Sequence, residues 1–109
     1  MARSPDTLQG TLDLLILKSL EREPNHGFGI ALHIQTVSDG LLRVEEGSLY
    51  PALHRLEREK WIAASWKMTE NGRRARYYRL TPSGLRRLAD AAESWATLAK
   101  GVGKVLRYA

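Results

Sequence analysis

Side chains that can contact nucleic acid are concentrated in two segments of this chain. In the first, residues 48–58, the spacing predicts a helix with one apolar face and one polar face. The residues on or beside the polar face are Ser48, Tyr50, Pro51, His54, Arg55 and Arg58, and all but the proline carry a polar side chain. Arginine bonds to guanine edges or to phosphates, and a helix N-terminus near Ser48 attracts phosphate. A solvated face without a partner has the same composition, so the helix alone leaves both interpretations open.

The second segment, residues 61–80, holds five basic side chains and one acidic one, whereas residues 1–60 are slightly acidic. Its apolar pattern alternates from Ile62 to Met68, Asn71-Gly72 predicts a turn, and a second strand follows from Tyr77 to Leu80. We therefore expect a β-hairpin with a mobile basic tip. The basic side chains at or near that tip are Lys67, Arg73, Arg74 and Arg76. Such a tip suits phosphates or the minor groove, although a charged loop that limits aggregation is the alternative.

The remaining polar residues do not form a pattern typical of catalysis. The three histidines, His26, His33 and His54, are scattered, and the chain has no cysteine. No metal-ligand spacing is present, and Ser48 has no histidine or acid nearby in the sequence that would activate it. We expect neither an enzyme nor a cofactor or metal. The chain also lacks a secretion signal and a long apolar run, which favours a cytoplasmic protein.

The elements that must position these side chains are three helices before the hairpin and one after it. The first helix carries apolar residues from Leu8 to Leu20 at helical spacing. The second runs from about Gly27 to Val37, with Ile30, Ile34 and Val37 towards the core, and a short strand follows at Leu42 to Glu45. A cap at Ser48 begins the third helix, with Pro51 in its first turn and the helix extending to Lys60. Its buried stripe consists of Leu49, Ala52, Leu53 and Leu56.

The last helix begins at Thr81-Pro82, a cap followed by proline at the first helical position. Apolar residues then recur at alternating steps of three and four: Leu85, Leu88, Ala92, Trp95, Ala99, Val102 and Leu106. A heptad stripe on so small a domain favours packing against a second copy, although packing within one chain is the alternative. A two-fold dimer places two recognition helices roughly 34 Å apart, in successive major grooves. Trp95 then forms either simple interface core or the wall of a site for flat apolar ligands.

The predicted architecture is mainly α with a small β-hairpin, an α+β winged helix-turn-helix. Residues 1–81 form its DNA-binding part and residues 82–109 its dimerisation helix, within one compact unit. The function that fits is a sequence-specific DNA-binding regulator. A protein-interaction adaptor that keeps this fold as a scaffold is the alternative from another class.

Several segments, taken together, resemble the PadR-type transcription regulators. The segment from Gly47 to Glu57 is similar to the recognition-helix signature of that family. The stretches 12–20, 26–30 and 75–81 and Gly84 also fit, in the same order, so the resemblance spans about residues 7–107. Phe28 departs from it, because the family usually has a tyrosine at that position.

This resemblance implies a bacterial repressor that binds a palindromic operator as a homodimer of the short C-terminal form. It also implies that the first and last helices build the dimer, which adds Leu8 and Leu12 to the heptad residues as interface positions. Some short members bind planar aromatic compounds between tryptophans of the dimer-forming helix, and Trp95 corresponds to such a position.

Overall fold

The computed structural model describes residues 5–108, with side chains from residue 10 onwards. Its four helices are α1 (Pro5–Arg22), α2 (Gly27–Val37), α3 (Glu46–Arg58) and α4 (Pro82–Arg107). Its three strands are β1 (Asn25–His26), β2 (Ile62–Met68) and β3 (Arg74–Leu80), which form one antiparallel sheet in the order β1-β3-β2. The predicted α+β winged helix class is confirmed.

The core is built around one face of α3. Leu49, Ala52, Leu53 and Leu56, the predicted stripe, are all buried, and they join Ile16, Leu17 and Leu20 of α1 and Ile30 and Ile34 of α2 in one apolar cluster. The sheet contributes Ile62 and Tyr78, and α4 contributes Leu88. Val37 was wrongly expected to face this core, because α2 ends there and its side chain is exposed. Every layer of the fold therefore touches the cluster that fixes α3.

The segment 42–45 has no regular secondary structure, so the strand expected from Leu42 to Glu45 is wrong. Leu42 and Arg43 are exposed and have no neighbouring strand to pair with. The third strand of the sheet is instead β1, where His26 pairs with Tyr77. His26 is also the N-cap of α2, since its ring nitrogen Nδ1 accepts a hydrogen bond from the Gly29 backbone N–H.

The cap of α3 lies three residues earlier than the sequence predicts, at Glu45 instead of Ser48. Glu45 is the residue before the helix, and its carbonyl accepts hydrogen bonds from the N–H groups of Ser48 and Leu49. Ser48 is therefore not the cap but a residue of the first turn. Pro51 lies in the second turn, where its ring removes the hydrogen bond that the Gly47 carbonyl would otherwise accept. Gly47 and Pro51 both lie on the exposed side of the helix, so the missing bond is not in the core.

The start of α4 is tied to the end of α3. The Thr81 and Ser83 hydroxyls both donate to the Lys60 carbonyl, and Thr81 also accepts from the Gly84 N–H, which confirms it as the cap of α4. Gly84 packs so closely on Trp61 that a Cβ there would lie 1.9 Å from the Trp61 carbonyl oxygen. None of the helices within residues 5–108 is long and apolar enough to span a membrane.

Candidate nucleic-acid interface

The exposed face of α3 carries Pro51, His54 and Arg58, as the helical spacing predicts. Ser48 and Tyr50 are also exposed and lie on opposite sides of this face, since each residue of a helix is rotated by about 100° from the one before. Tyr50 packs against α2: a Cβ at Gly27 would lie 2.9 Å from its hydroxyl oxygen. The face is therefore a convex, polar surface with the Tyr50 ring fixed at one edge.

Arg55 differs from the other residues of this set because its guanidinium is already engaged. It forms an ion pair with Asp13 of α1, and the two side chains are only 22% and 15% exposed. Burial raises the pKa of the Asp13 carboxyl, and the Arg55 and Arg87 guanidiniums oppose that rise only in part. The pair therefore joins α1 to one flank of α3 at a considerable desolvation cost.

The opposite flank of α3 is joined to the hairpin. Glu57 accepts a hydrogen bond from the Arg76 guanidinium at 2.7 Å, and both side chains are about one-third exposed. The hydrogen bond to this carboxylate and its negative charge raise the pKa of Arg76 above its ordinary value. Burial raises the pKa of the neighbouring Tyr78, so this hydroxyl is a neutral donor and acceptor at physiological pH.

The hairpin, called the wing from here on, consists of β2, the loop 69–73 and β3. The expected mobile tip with three arginines is wrong, because β3 begins at Arg74 and only Arg73 remains in the loop. Arg74 pairs with Met68 and Arg76 pairs with Trp66. Because the two arginines are two residues apart in β3, they share one face of the wing. Their guanidinium carbons lie 4.9 and 5.7 Å from the centre of the Trp66 ring. Lys67 lies on the other face, with its ammonium 5.5 Å from the centre of the Tyr77 ring.

A groove of about 530 Å³, called the wing groove, separates this arginine face from α3 and the start of α2. Its walls include Tyr50, Trp66, Arg73, Arg74 and Arg76. Cations on the wing wall and the Tyr50 hydroxyl on the helix wall suit a phosphate chain rather than an apolar ligand. Within the described side chains, no group of three or more histidine, cysteine or acidic residues is arranged to hold a metal ion.

The heptad residues of α4 divide into two groups. Leu88 is buried in the core of its own chain, so it is not part of a free seam. The other predicted seam residues are exposed: Leu85, Ala92, Trp95, Ala99, Val102 and Leu106. Leu12 is half-buried against the core, and the side chain of Leu8 lies outside the described residues.

The described chain thus presents a bare helix face beside a cationic wing and an uncovered apolar helix. Residues 16–90 match the model of the transcriptional regulator PadR-like family. The chain belongs to this family.

A transcriptional regulator from Clostridium thermocellum is similar, with 31% identity and a TM-score of 0.81 over 94% of this chain and 97% of that one. A PadR-like transcriptional regulator from Bacillus cereus is 29% identical, with a TM-score of 0.78 over 95% and 99% of the two chains. An uncharacterized protein of Lysinibacillus sphaericus is 30% identical over 88% of this chain and 87% of its own length.

The protein is therefore a transcriptional regulator, which confirms that it is not an enzyme. PadR regulators bind DNA and are typically dimers. The wing groove and the α3 face are the surfaces of this PadR-like chain whose chemistry suits that activity.

Two residues that shape the interface were not singled out in the sequence. Asp13 is the only charged residue in the apolar run from Leu12 to Leu17, and a lone charge there signals a buried partner. Trp66 lies within the alternating apolar pattern from Ile62 to Met68, but that pattern does not link it to the arginines. The hairpin register, which puts Trp66 opposite Arg76, links them.

The Asp13–Arg55 pair gives a prediction with a defined sign for each partner. The folded protein holds a proton on Asp13 more tightly than the unfolded chain, so the stability contributed by this carboxyl is greatest below pH 3.8 and falls as pH rises through the raised pKa. Asp13→Asn resembles the protonated acid and keeps an oxygen that accepts from Arg55, but it leaves that guanidinium without a counter-charge. We therefore expect it to lower the free energy of unfolding at pH 7 by no more than about 1 kcal/mol. Arg55→Met leaves a buried carboxylate unpaired and should lower the free energy of unfolding by about 3 kcal/mol.

Urea unfolding between pH 3 and pH 8 measures both effects. The matched control is Glu21→Gln, which breaks the exposed Lys18–Glu21 pair and should change stability by less than about 0.5 kcal/mol. A larger loss for Asp13→Asn than for Arg55→Met would contradict the prediction.

Proposed function

We propose that this PadR-like regulator is a cytoplasmic repressor that binds a palindromic operator as a homodimer. The observation that carries the proposal is the wing groove, which places a wall of arginines beside the bare face of α3. A helix face of this kind reads base edges in the major groove, and cations beside it neutralise the flanking phosphates.

The exposed side chains divide into two roles in this proposal. Pro51, His54 and Arg58 lie centrally on α3 and would face the bases, with Ser48 and Tyr50 at the edges towards the phosphates. In the second role, the wing neutralises the phosphates of the DNA backbone. The residues that would do so are Arg73, Arg74 and, on the other face of the wing, Lys67. Arg55 and Arg76 were predicted as DNA contacts, but their ion pairs to Asp13 and Glu57 favour a supporting role for both.

The dimer in this proposal is built on α4. Trp95 and Leu106 are 49% and 79% exposed, and Leu98 and Val105 widen the same apolar surface. A contiguous apolar surface along one helix is typical of an association site. We assign residues 82–109 to dimerisation and residues 1–81 to DNA binding, with α1 beside α4 as the second helix of the interface.

The wing gives a quantitative prediction for DNA from the protein's own upstream region. Each phosphate contact contributes about −0.9 to the slope of log K against log salt. The dimer carries two wings, so Arg73→Gln/Arg74→Gln removes four contacts and should flatten that slope by about 3.6 and weaken binding to all sequences. Fluorescence anisotropy titrations from 50 to 300 mM KCl measure it.

The control for this titration is Arg86→Gln, which removes a charge from α4 away from the groove and should leave the slope unchanged. If the double variant has the same salt slope as the wild type, the wing does not contact the DNA phosphates. If the wild-type protein binds no DNA even at low salt, the protein-interaction adaptor is favoured instead.

The α4 surface predicts that a single buried charge dissociates the dimer. Val102→Asp places a carboxylate in the apolar seam, so we expect a monomer at micromolar concentration in sedimentation velocity, together with weaker operator binding. Thr97→Asp introduces the same charge on the opposite, polar side of α4 and should remain dimeric. A Val102→Asp protein that sediments like the wild type would exclude this helix from the interface.

A second candidate function, binding of a planar aromatic effector, is favoured by a cavity of about 260 Å³ between α1 and α4. Its walls include Leu14, Ala91, Trp95 and Leu98. Titration with planar cations and phenolic compounds should quench tryptophan fluorescence saturably in the wild type and not in Trp95→Phe. Equal quenching in both proteins would rule out this site.

A further inference from the structure

Arg55 and Glu57 lie on opposite flanks of α3. Two residues of a helix are separated by about 200° of rotation, so these side chains leave the helix on either side of the face formed by Pro51, His54 and Arg58. Each of the two is bound by a partner from another element, Arg55 by Asp13 of α1 and Glu57 by Arg76 of the wing. The apolar stripe of α3 sets which face is buried, and these two pairs hold the helix at its two flanks.

The Asp13–Arg55 pair is the more constrained of the two. Its side chains are 15% and 22% exposed, and those of Glu57 and Arg76 are 30% and 38% exposed. The Arg87 guanidinium of α4 also acts on Asp13, since its charge opposes the rise that burial causes in the pKa of that carboxyl, so the carboxylate interacts with charges on both α3 and α4. A guanidinium in this position cannot reach a base edge without leaving a buried carboxylate behind.

We propose that Arg55 is a positioning residue, which acts through Asp13 to set the orientation of α3 relative to the helices of the dimer, and does not itself contact DNA. This inference rests on the proposed function and deepens it, because it makes the spacing of the two recognition helices depend on a carboxylate of α1. Arg58, three residues further along α3, is exposed and has no ion pair among the described residues.

The two roles predict opposite effects of releasing Arg55. If Arg55 positions α3, then Asp13→Ala and Arg55→Ala each weaken binding to the operator by about tenfold, and the double variant is no weaker than either one, since both remove the same contact. If Arg55 reads a base, Arg55→Ala loses preference at one base pair, and Asp13→Ala frees the guanidinium and strengthens binding.

The probe is the duplex that the wild-type dimer selects from a random-sequence DNA library. Affinity is measured for that duplex, for each single-base change, and for versions with one base pair inserted or deleted between the half-sites. We expect the base preferences of Asp13→Ala and Arg55→Ala to match those of the wild type, whereas both variants discriminate several-fold less against altered spacing. A change in stability alone would not shift that spacing discrimination. Arg58→Ala is the contrast, with preference lost at one position.

Asp13→Asn is the second variant if Asp13→Ala melts too low to assay. It keeps an oxygen that accepts from Arg55 but lacks the charge, so the loss of affinity should be smaller and in the same direction. Stronger binding by either Asp13 variant, additive losses in the double variant, or a changed base preference in Arg55→Ala alone would overturn the assignment. If the wild-type protein selects no sequence, the proposed function itself fails and the assignment fails with it, an outcome distinct from the other three.

Discussion

The structure depends on burying one face of α3 while leaving the opposite face bare. Leu49, Leu53 and Leu56 are almost completely removed from solvent, and each such side chain contributes about 2 kcal/mol of hydrophobic stabilisation. A helix in this position cannot place uncommitted charges on its flanks, because those flanks are already partly desolvated. The residues between the buried and the bare faces, Arg55 and Glu57, accordingly have partners of opposite charge.

This arrangement makes the several glutamates of α3 compatible with the DNA contact proposed for that helix. Glu57 does not face phosphate as a free anion, since Arg76 neutralises it from the wing. Glu45 and Glu46 lie at the start of α3, where the positive end of the helix dipole stabilises them. Most of the cations of this surface therefore lie on the wing, and α3 contributes Arg58, its shape and hydrogen-bonding groups.

The sequence predicts elements with strong periodicity well, and less well the features that depend on contacts distant in sequence. The heptad of α4, the stripe of α3 and the Thr81 cap follow from spacing and cap chemistry alone. Strand β1 cannot be predicted in this way, because two residues are too few to show an alternating apolar pattern. They form a strand only because β3 lies beside them. The helix start at Glu46 was missed because Ser48 is the stronger cap by residue type, whereas the backbone fold places Glu45 there. The partners of Arg55 and Arg76 lie 42 and 19 residues away, so only the tertiary structure joins them.

The stacking of Arg74 and Arg76 on Trp66 has a consequence for the energetics of complex formation. A free arginine side chain loses about 2 kcal/mol of conformational entropy when it is fixed at a phosphate. On the wing, part of that loss has already occurred during folding, because the Trp66 ring restricts the rotamers of the Arg74 guanidinium, which lies 4.9 Å from the ring centre. The indole ring, which is itself 55% exposed, thus pre-orders this cation before any ligand arrives, and Arg76 beside it is held by Glu57.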